Sequence, residues 1–258
     1  MLIDSHCHIN DPLFNKDPKK YVDEANLAGV SIMLVVGYDV PSSKEAVKIA
    51  HQFENVYASV GIIPSEIANY KEGDLKEIEK FLSDDKVIAV GEIGLDYYWI
   101  KDENLKAKQK ELFIAQIELA NKYNLPIDIH CREAYEDLLT ILKNHKVNKK
   151  GIIHCYSSSL EMSKLFIAEG YILGIGGVVT FKNALKLKEV AKHVPSNAYV
   201  LETDAPYLTP TPHRGEVNHS KYLSFIAQEI ANLKGVDVSD VINETTSNFK
   251  RLFSLWKR

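Results

Sequence analysis

Eight short apolar runs, rich in β-branched residues, constrain the fold of this 258-residue chain more than any other feature. Runs that are apolar on both faces are typical of strands buried in a parallel sheet. They lie at residues 2–3, 31–36, 56–60, 87–90, 126–129, 151–153, 171–175 and 198–201. Segments with the spacing of amphipathic helices lie between them, at residues 43–53, 75–82, 105–123, 135–144, 160–169 and 185–192, and a terminal helix opens at Ser239.

This alternation predicts a single α/β domain over residues 1–258, folded as a (β/α)8 or TIM barrel. The chain length fits one barrel, and no linker, repeat or low-complexity tract divides the chain. A doubly wound open sheet shows the same alternation and is the structural alternative. The count of eight favours the barrel.

The charge and the termini limit the function classes. A formal net charge of -4 argues against general adhesion to nucleic acid or anionic membrane. The sequence has neither a signal-like start nor a run of 18 apolar residues, so we expect a cytoplasmic protein without membrane association or an obligate protein partner. The cysteines, Cys7, Cys131 and Cys155, are odd in number, so we expect packing residues rather than disulfides or metal thiolates.

The strongest chemical signal is the motif His6-Cys7-His8 at the end of the first predicted strand. Strand side chains alternate between the two faces, so both imidazoles project to one side and Cys7 projects to the other. Two nitrogen ligands can therefore converge on one metal ion.

Four further polar residues come at the predicted ends of other strands: Glu92, His130, His154 and Asp204. Each alone has an ordinary explanation as a surface group or a structural cap. In a parallel barrel, however, all strand carboxyl ends open on one face, which is where such enzymes place their active sites. Together with the His pair they predict a divalent-metal centre, and six ligands suit two ions bridged by Glu92 better than one. Imidazole and carboxylate ligands suit Zn, Mn, Co, Ni or Fe, with Mg less favoured.

Six segments, in order along nearly the whole chain, resemble the TatD family of metal-dependent deoxyribonucleases. They read DSHCHIN, VGEIGLDYY, QKELFIAQIELANKYNLPIDIHCRE, IIHCYSSS, LGIGGVVTFKNA and ETDAPYLTP. The resemblance implies an amidohydrolase-type TIM barrel with a divalent-metal centre. It also implies hydrolysis of phosphodiesters in DNA by a metal-activated water, as a 3'-5' exonuclease acting on single-stranded ends.

The resemblance also assigns the ligands in two sets. One metal would be held by His6, His8, Glu92 and Asp204, and the second by Glu92, His130 and His154. Glu92 and Asp204 are the predicted catalytic residues, and Asp204, both ligand and acceptor, is the candidate general base.

Arginines and aromatic residues near these motifs are candidates for substrate binding. Arg132 and the pair Arg214-Gly215 resemble family positions near the substrate, and guanidinium groups suit phosphate oxygens. Tyr97, Tyr98 and Trp99 follow the fourth strand and could stack nucleobases, or could pack on the barrel rim instead.

Two segments depart from the family pattern. The chain reads Gly61-Ile62-Ile63-Pro64 where the family commonly has a histidine before the proline, so a substrate or proton-transfer contact is expected to be missing. After Arg214 it reads Asn218-His219-Ser220, where His219 could substitute functionally. Neither departure removes a predicted metal ligand.

Competing functions remain open at this point. The same metal centre would serve a hydrolase of another ester or amide, such as a D-aminoacyl-tRNA deacylase or a lactonase. A non-catalytic metal-binding barrel draws its support from Ile63 alone.

Overall fold

A computed structural model describes residues 1–14 and 16–255 of the chain. Its eight strands form one parallel sheet in sequence order, in which each strand pairs with the next. The strands are β1 Leu2–Cys7, β2 Val30–Val36, β3 Val56–Val60, β4 Val87–Asp96, β5 Ile127–Arg132, β6 Gly151–Ile153, β7 Ile172–Ile175 and β8 Tyr199–Leu201. This order, with a helix after each strand, confirms the predicted (β/α)8 barrel over the doubly wound alternative.

The sheet curls so that its last strand meets its first. Beyond β8, the Thr203 amide donates to Asp4 Oδ1 at 2.9 Å and the Asp204 amide donates to the His6 carbonyl at 2.9 Å. The His8 amide in turn donates to the Ala205 carbonyl at 2.8 Å. These bonds place Asp204 beside the His6-Cys7-His8 motif, although the two segments are far apart in sequence.

The α-helices form the outer layer of the barrel. They are α1 Pro18–Leu27, α2 Val40–Ala50, α3 Asp74–Glu79, α4 Glu103–Tyr123, α5 Tyr135–Asn144, α6 Leu160–Ala168, α7 Leu185–His193, α8 Leu223–Lys234 and α9 Val238–Phe253. Local capping explains several boundaries: Asp39 accepts the Ser42 amide before α2, and Asp102 accepts two amides before α4. Among the described helices, none is long and apolar enough to cross a bilayer.

Two strands run further than predicted. β4 continues to Asp96, so Glu92 lies inside the strand rather than at its end, and His130 likewise lies inside β5. In the longer β4, Gly94 pairs with His130 across the ladder. A Cβ on Gly94 would lie 2.0 Å from the His130 carbonyl oxygen, so this glycine permits the close approach of the two strands.

The barrel interior is divided into an apolar end and a polar end. At the amino-terminal end of the strands, Ile3, Ile88 and Val200 pack with Phe249 and Phe253 of α9 in one buried cluster. Cys7 is buried on the helix side, where its Sγ donates to the Leu34 carbonyl at 3.4 Å. The buried charged side chains gather toward the carboxyl end of the strands, where the candidate site lies.

Candidate metal centre

The Glu92 carboxylate lies at the middle of the site, 2% exposed, with its two oxygens facing different ligands. Its Oε1 is 2.7 Å from His130 Nδ1 and 2.8 Å from His154 Nε2. Its Oε2 is 3.7 Å from His6 Nε2 and 3.8 Å from His8 Nε2. One carboxylate therefore separates two pairs of imidazoles, which is the arrangement expected of a bridging ligand.

Asp204 completes the first ligand set, which also contains His6, His8 and one oxygen of Glu92. The Nε2 atoms of His6 and His8 are 3.2 Å apart, and Asp204 Oδ1 lies 3.8 Å and 3.4 Å from them. Asp204 has φ 55°, a left-handed conformation that Asp tolerates better than most residues and that turns the chain sharply after β8. These atoms lie close enough to one another to hold one ion.

The second ligand set consists of the other Glu92 oxygen with His130 and His154. His130 Nδ1 and His154 Nε2 are 3.4 Å apart. The His154 ring also stacks on the His6 ring, with centroids 3.9 Å apart and planes at 8°, so the two sets are adjacent. The structure thus brings all six predicted ligands together.

Acceptors behind the imidazoles test whether these sets fit a metal. His6 Nδ1 lies 2.9 Å from Asp128 Oδ2, and His8 Nδ1 lies 2.9 Å from the Val36 carbonyl oxygen. Both acceptors favour a proton on Nδ1, so the Nε2 atoms of His6 and His8, 3.2 Å apart, are the nitrogens left to share a proton or to bind a cation. With the Glu92 and Asp204 carboxylates beside them, they form a donor set that fits a divalent ion.

Burial by itself would raise the pKa of the Glu92 and Asp204 carboxyl groups, but the surrounding histidines outweigh it and hold both below their usual range. Burial lowers the pKa of His6, yet Asp128 and Glu92 raise it well above the ordinary value. Asp96 and Glu92 likewise overcome the burial of His130 and raise its pKa to about 9. Metal binding at these imidazoles must therefore displace protons, which makes metal affinity increase with pH.

Four buried carboxyl side chains lie behind the ligands: Asp4, Asp96, Asp128 and Glu202. The first three were not identified from the sequence, whereas Glu202 stands two residues before Asp204 as the other carboxyl group after the eighth predicted strand. Asp128 holds His6, and Asp96 Oδ2 lies 2.9 Å from His130 Nε2. Glu202 Oε1 accepts the Cys155 amide at 2.5 Å, and burial raises the pKa of this carboxyl well above its usual value. Charged residues inside otherwise apolar strands were the signal that could have found Asp4 and Asp128.

The predicted substrate residues that follow β4, together with Arg132 at the end of β5, lie on the rim beside His130. Tyr97 packs its ring partly against the core and donates its hydroxyl to Asp137 at 2.6 Å, so it is less available than its neighbours. Tyr98 and Trp99 are exposed by 40% and 65%. The Arg132 guanidinium carbon lies 3.7 Å from the Tyr98 ring centroid and 5.6 Å from that of Trp99. We call Tyr98, Trp99 and Arg132 the rim cluster.

Other residues considered from the sequence lie outside the ligand sets. Arg214 is exposed, with its guanidinium carbon 3.8 Å from the Phe181 ring centroid. Ile63 is half-buried, and its amide donates to the Tyr38 carbonyl at 2.9 Å. His219 does not join the site, because its ring stacks on Tyr21 with centroids 3.8 Å apart.

The environment of His219 predicts a pH dependence of stability. Burial, and then the Lys221 charge, lower the pKa of His219 to about 4, while Glu24 opposes them with a carboxylate oxygen 3.6 Å away. An unfolded histidine has a pKa of about 6.5, so below that pH the unfolded chain binds the proton more readily. Between pH 7 and pH 5 this residue should cost the fold about 1–2 kcal/mol.

Urea unfolding of the wild type and of His219→Phe at the two pH values checks this. The phenylalanine keeps an aromatic ring against Tyr21 but cannot titrate. We expect the variant to lose less stability than the wild type on going from pH 7 to pH 5. An equal loss in both proteins would exclude His219 as the source.

Comparisons with known proteins agree with this geometry. The family model described as TatD related DNase matches residues 3–254. An uncharacterized metal-dependent hydrolase of Bacillus subtilis, YabD, is 40% identical over 99% of this chain and 100% of its own length. Another from Escherichia coli, YcfH, is 33% identical over 98% of this chain and 96% of its own. The crystal structure of the E. coli TatD homologue YjjV superposes with a TM-score of 0.93 at 28% identity, covering 98% of both chains. The chain therefore belongs to the TatD family of metal-dependent hydrolases.

Proposed function

We propose that this hydrolase cleaves phosphodiester bonds in DNA, working inward from single-stranded ends, with two divalent ions bridged by Glu92. The observation that carries the proposal is the division of the Glu92 carboxylate between two ligand sets. Paired metal positions of this kind recur in phosphatases and nucleases, because one phosphoryl centre can be clamped from two sides.

The ligands would divide between the ions as the geometry suggests. His6, His8 and Asp204 face one oxygen of Glu92, and His130 and His154 face the other. When bound, the ions would supply Lewis acidity that polarises the phosphoryl group and lowers the pKa of a water molecule. Mixed imidazole and carboxylate ligation favours Zn, Mn, Co, Ni or Fe over Mg.

Side chains of the protein would accept the proton and bind the substrate. Asp204 is 14% exposed on its side chain, and its lowered pKa keeps it ionised at neutral pH, so it can accept a proton from water as general base. Arg132 presents a fixed cation at the rim, which suits a phosphate of the bound strand. The exposed rings of Tyr98 and Trp99 offer stacking surfaces that do not depend on base identity.

The test is a comparison of substrates at matched metal concentrations. Single-stranded DNA labelled at its 3' or 5' end, RNA of the same sequence, a D-aminoacyl-tRNA and a lactone would each be incubated with Mn²⁺, Zn²⁺ or Mg²⁺. We expect fastest turnover of single-stranded DNA, with mononucleotides released from the 3' end. Turnover of the tRNA ester or the lactone without DNA cleavage would replace the proposal with the alternative hydrolase function.

A further inference from the structure

Asp96 touches both the metal centre and the rim cluster. It is 1% exposed at the end of β4. One carboxylate oxygen, Oδ2, lies 2.9 Å from His130 Nε2, and the other, Oδ1, accepts the Trp99 amide at 2.8 Å. Gln109 fixes the backbone of Asp96 from α4, since its Oε1 accepts the Asp96 amide at 3.0 Å and its Nε2 donates to the carbonyl at 3.1 Å.

The contact to Asp96 determines which nitrogen of His130 can bind a metal. An ionised carboxylate only accepts hydrogen bonds, so His130 Nε2 must carry a proton and donate it. Without a metal, Nδ1 also donates to a carboxylate, Glu92 Oε1 at 2.7 Å. Because Asp96 keeps a proton on Nε2, Nδ1 is the nitrogen that would give up its proton to bind a metal. His6 and His8 face the centre through Nε2 instead, so His130 binds in the opposite sense and depends on a different outer partner.

The second oxygen of Asp96 holds the backbone on which the rim cluster is built. The Trp99 amide is bonded to Asp96, while the Trp99 ring is 65% exposed beside the Arg132 guanidinium. A displacement of Asp96 would therefore change the positions of both His130 and the Trp99 backbone. A continuous path of hydrogen bonds runs from the Trp99 backbone through Asp96 and His130 to Glu92.

We propose that Asp96 is a positioning residue that fixes His130 as an Nδ1 ligand of the second metal and couples occupancy of that metal position to the placement of Trp99 in the rim cluster. The inference rests on the proposed two-metal function and adds a link between the metal centre and the surface that receives substrate. Outer partners of metal-binding histidines generally contribute 10- to 100-fold in metal affinity, which gives an effect of about that size for Asp96.

Substitution by asparagine discriminates between this role and simple packing. Asp96 accepts two donors with two oxygens, whereas asparagine has one oxygen and one amino group of nearly the same size. If the asparagine oxygen accepts the Trp99 amide, its amino group faces His130 Nε2 and forces the His130 proton onto Nδ1, which weakens metal binding. If the oxygen instead accepts the proton of His130 Nε2, the Trp99 amide loses its acceptor. Asp96→Asn can therefore keep either the parental zinc affinity or the hydrogen bond to the Trp99 amide, but not both. Asp96→Ala should lose both.

The experiment uses Trp256→Phe as the parent protein, because the chain has two tryptophans and this leaves Trp99 as the fluorophore. The metal-free parent would be titrated with Zn²⁺, which has no d-electron transitions of its own, while calorimetry gives the affinity and fluorescence reports on Trp99. We expect two zinc ions per chain, the weaker one at the position with three protein ligands, Glu92, His130 and His154, and a change in emission that follows the binding of that ion. Asp96→Ala should bind that ion roughly 10- to 100-fold more weakly and show no change in emission.

Asp137→Asn is the matched control, because Asp137 is a carboxylate on the same rim that bonds Tyr97 and Lys110 rather than His130. Asp137→Asn should have the zinc affinity and the change in Trp99 emission of the parent. Parental zinc affinity and emission in Asp96→Asn would overturn the proposal. A parent that binds one zinc ion would overturn the two-metal function as well, so the stoichiometry of the parent separates the two failures.

Discussion

Replacing Glu92 with alanine is expected to lower metal-dependent turnover by roughly three orders of magnitude or more, since loss of one preorganised electrostatic group alone costs about 10²–10³. The substitution removes the carboxylate that both ligand sets share and leaves four imidazoles facing an emptied position. The rate would be measured with the best substrate of the panel, at saturating metal.

The fold should survive this change, because Glu92 is one of the groups that raise the pKa of His6 and His130, so these imidazoles can release a proton once the carboxylate is removed. Circular dichroism of Glu92→Ala should match that of the wild type. Glu77→Ala is the matched control, since the exposed Glu77 side chain pairs with Lys80 at 2.7 Å on the barrel surface. Turnover of Glu92→Ala within tenfold of this control would contradict the assigned role of Glu92.

Replacing Gly174 with alanine is expected to destabilise the fold by about 2–3 kcal/mol and to disturb the metal centre, because the new methyl group overpacks a closed site. A Cβ at this position of β7 would lie 2.0 Å from Glu202 Oε2 and 3.0 Å from the His154 Cα. Glu202 is fully buried and accepts the Cys155 amide, so it cannot move without displacing the chain that carries His154.

Gly176→Ala provides a close comparison two residues further along. Its backbone is extended, with φ -107° and ψ -168°, and its Cβ would meet Glu202 at 3.5 Å, which is an ordinary contact. Urea unfolding should show a much lower midpoint for Gly174→Ala than for Gly176→Ala. Equal midpoints would contradict this prediction and show that the Glu202 side chain can move to make room for the methyl group.

Much of the fold could be predicted from the sequence, because each strand and helix has a local hydrophobic pattern. The ends of β4 and β5 could not. Gly91 and Gly94 resemble a strand break when taken alone, and the reason for Gly94 is the carbonyl of His130 on a neighbouring strand. Local patterns do not contain that information.

The grouping of the candidate metal ligands could be predicted for a different reason. Strand order in a parallel barrel brings all carboxyl ends to one face, so residues such as His6 and Asp204 could be grouped without coordinates. Their outer partners could not be assigned in this way. Asp128 is two residues from His130 but holds His6, and this pairing depends on which side chains point into the closed barrel.

The predicted substrate residues show a similar limit. Tyr97, Tyr98 and Trp99 are equivalent aromatic residues in the sequence, and only packing distinguishes them. Tyr97 is fixed by Asp137 and the core, whereas the rings of the other two are exposed beside Arg132.

The proposed role of Glu92, joining two metal positions in one site, is tested most directly by the number of ions that each chain binds. The wild type and Glu92→Ala would be stripped of metal, reloaded with Mn²⁺ or Zn²⁺, and examined by elemental analysis and calorimetry. We predict two ions per wild-type chain and loss of at least one from the variant. One ion in the wild type, or two ions bound equally well without Glu92, would contradict the account.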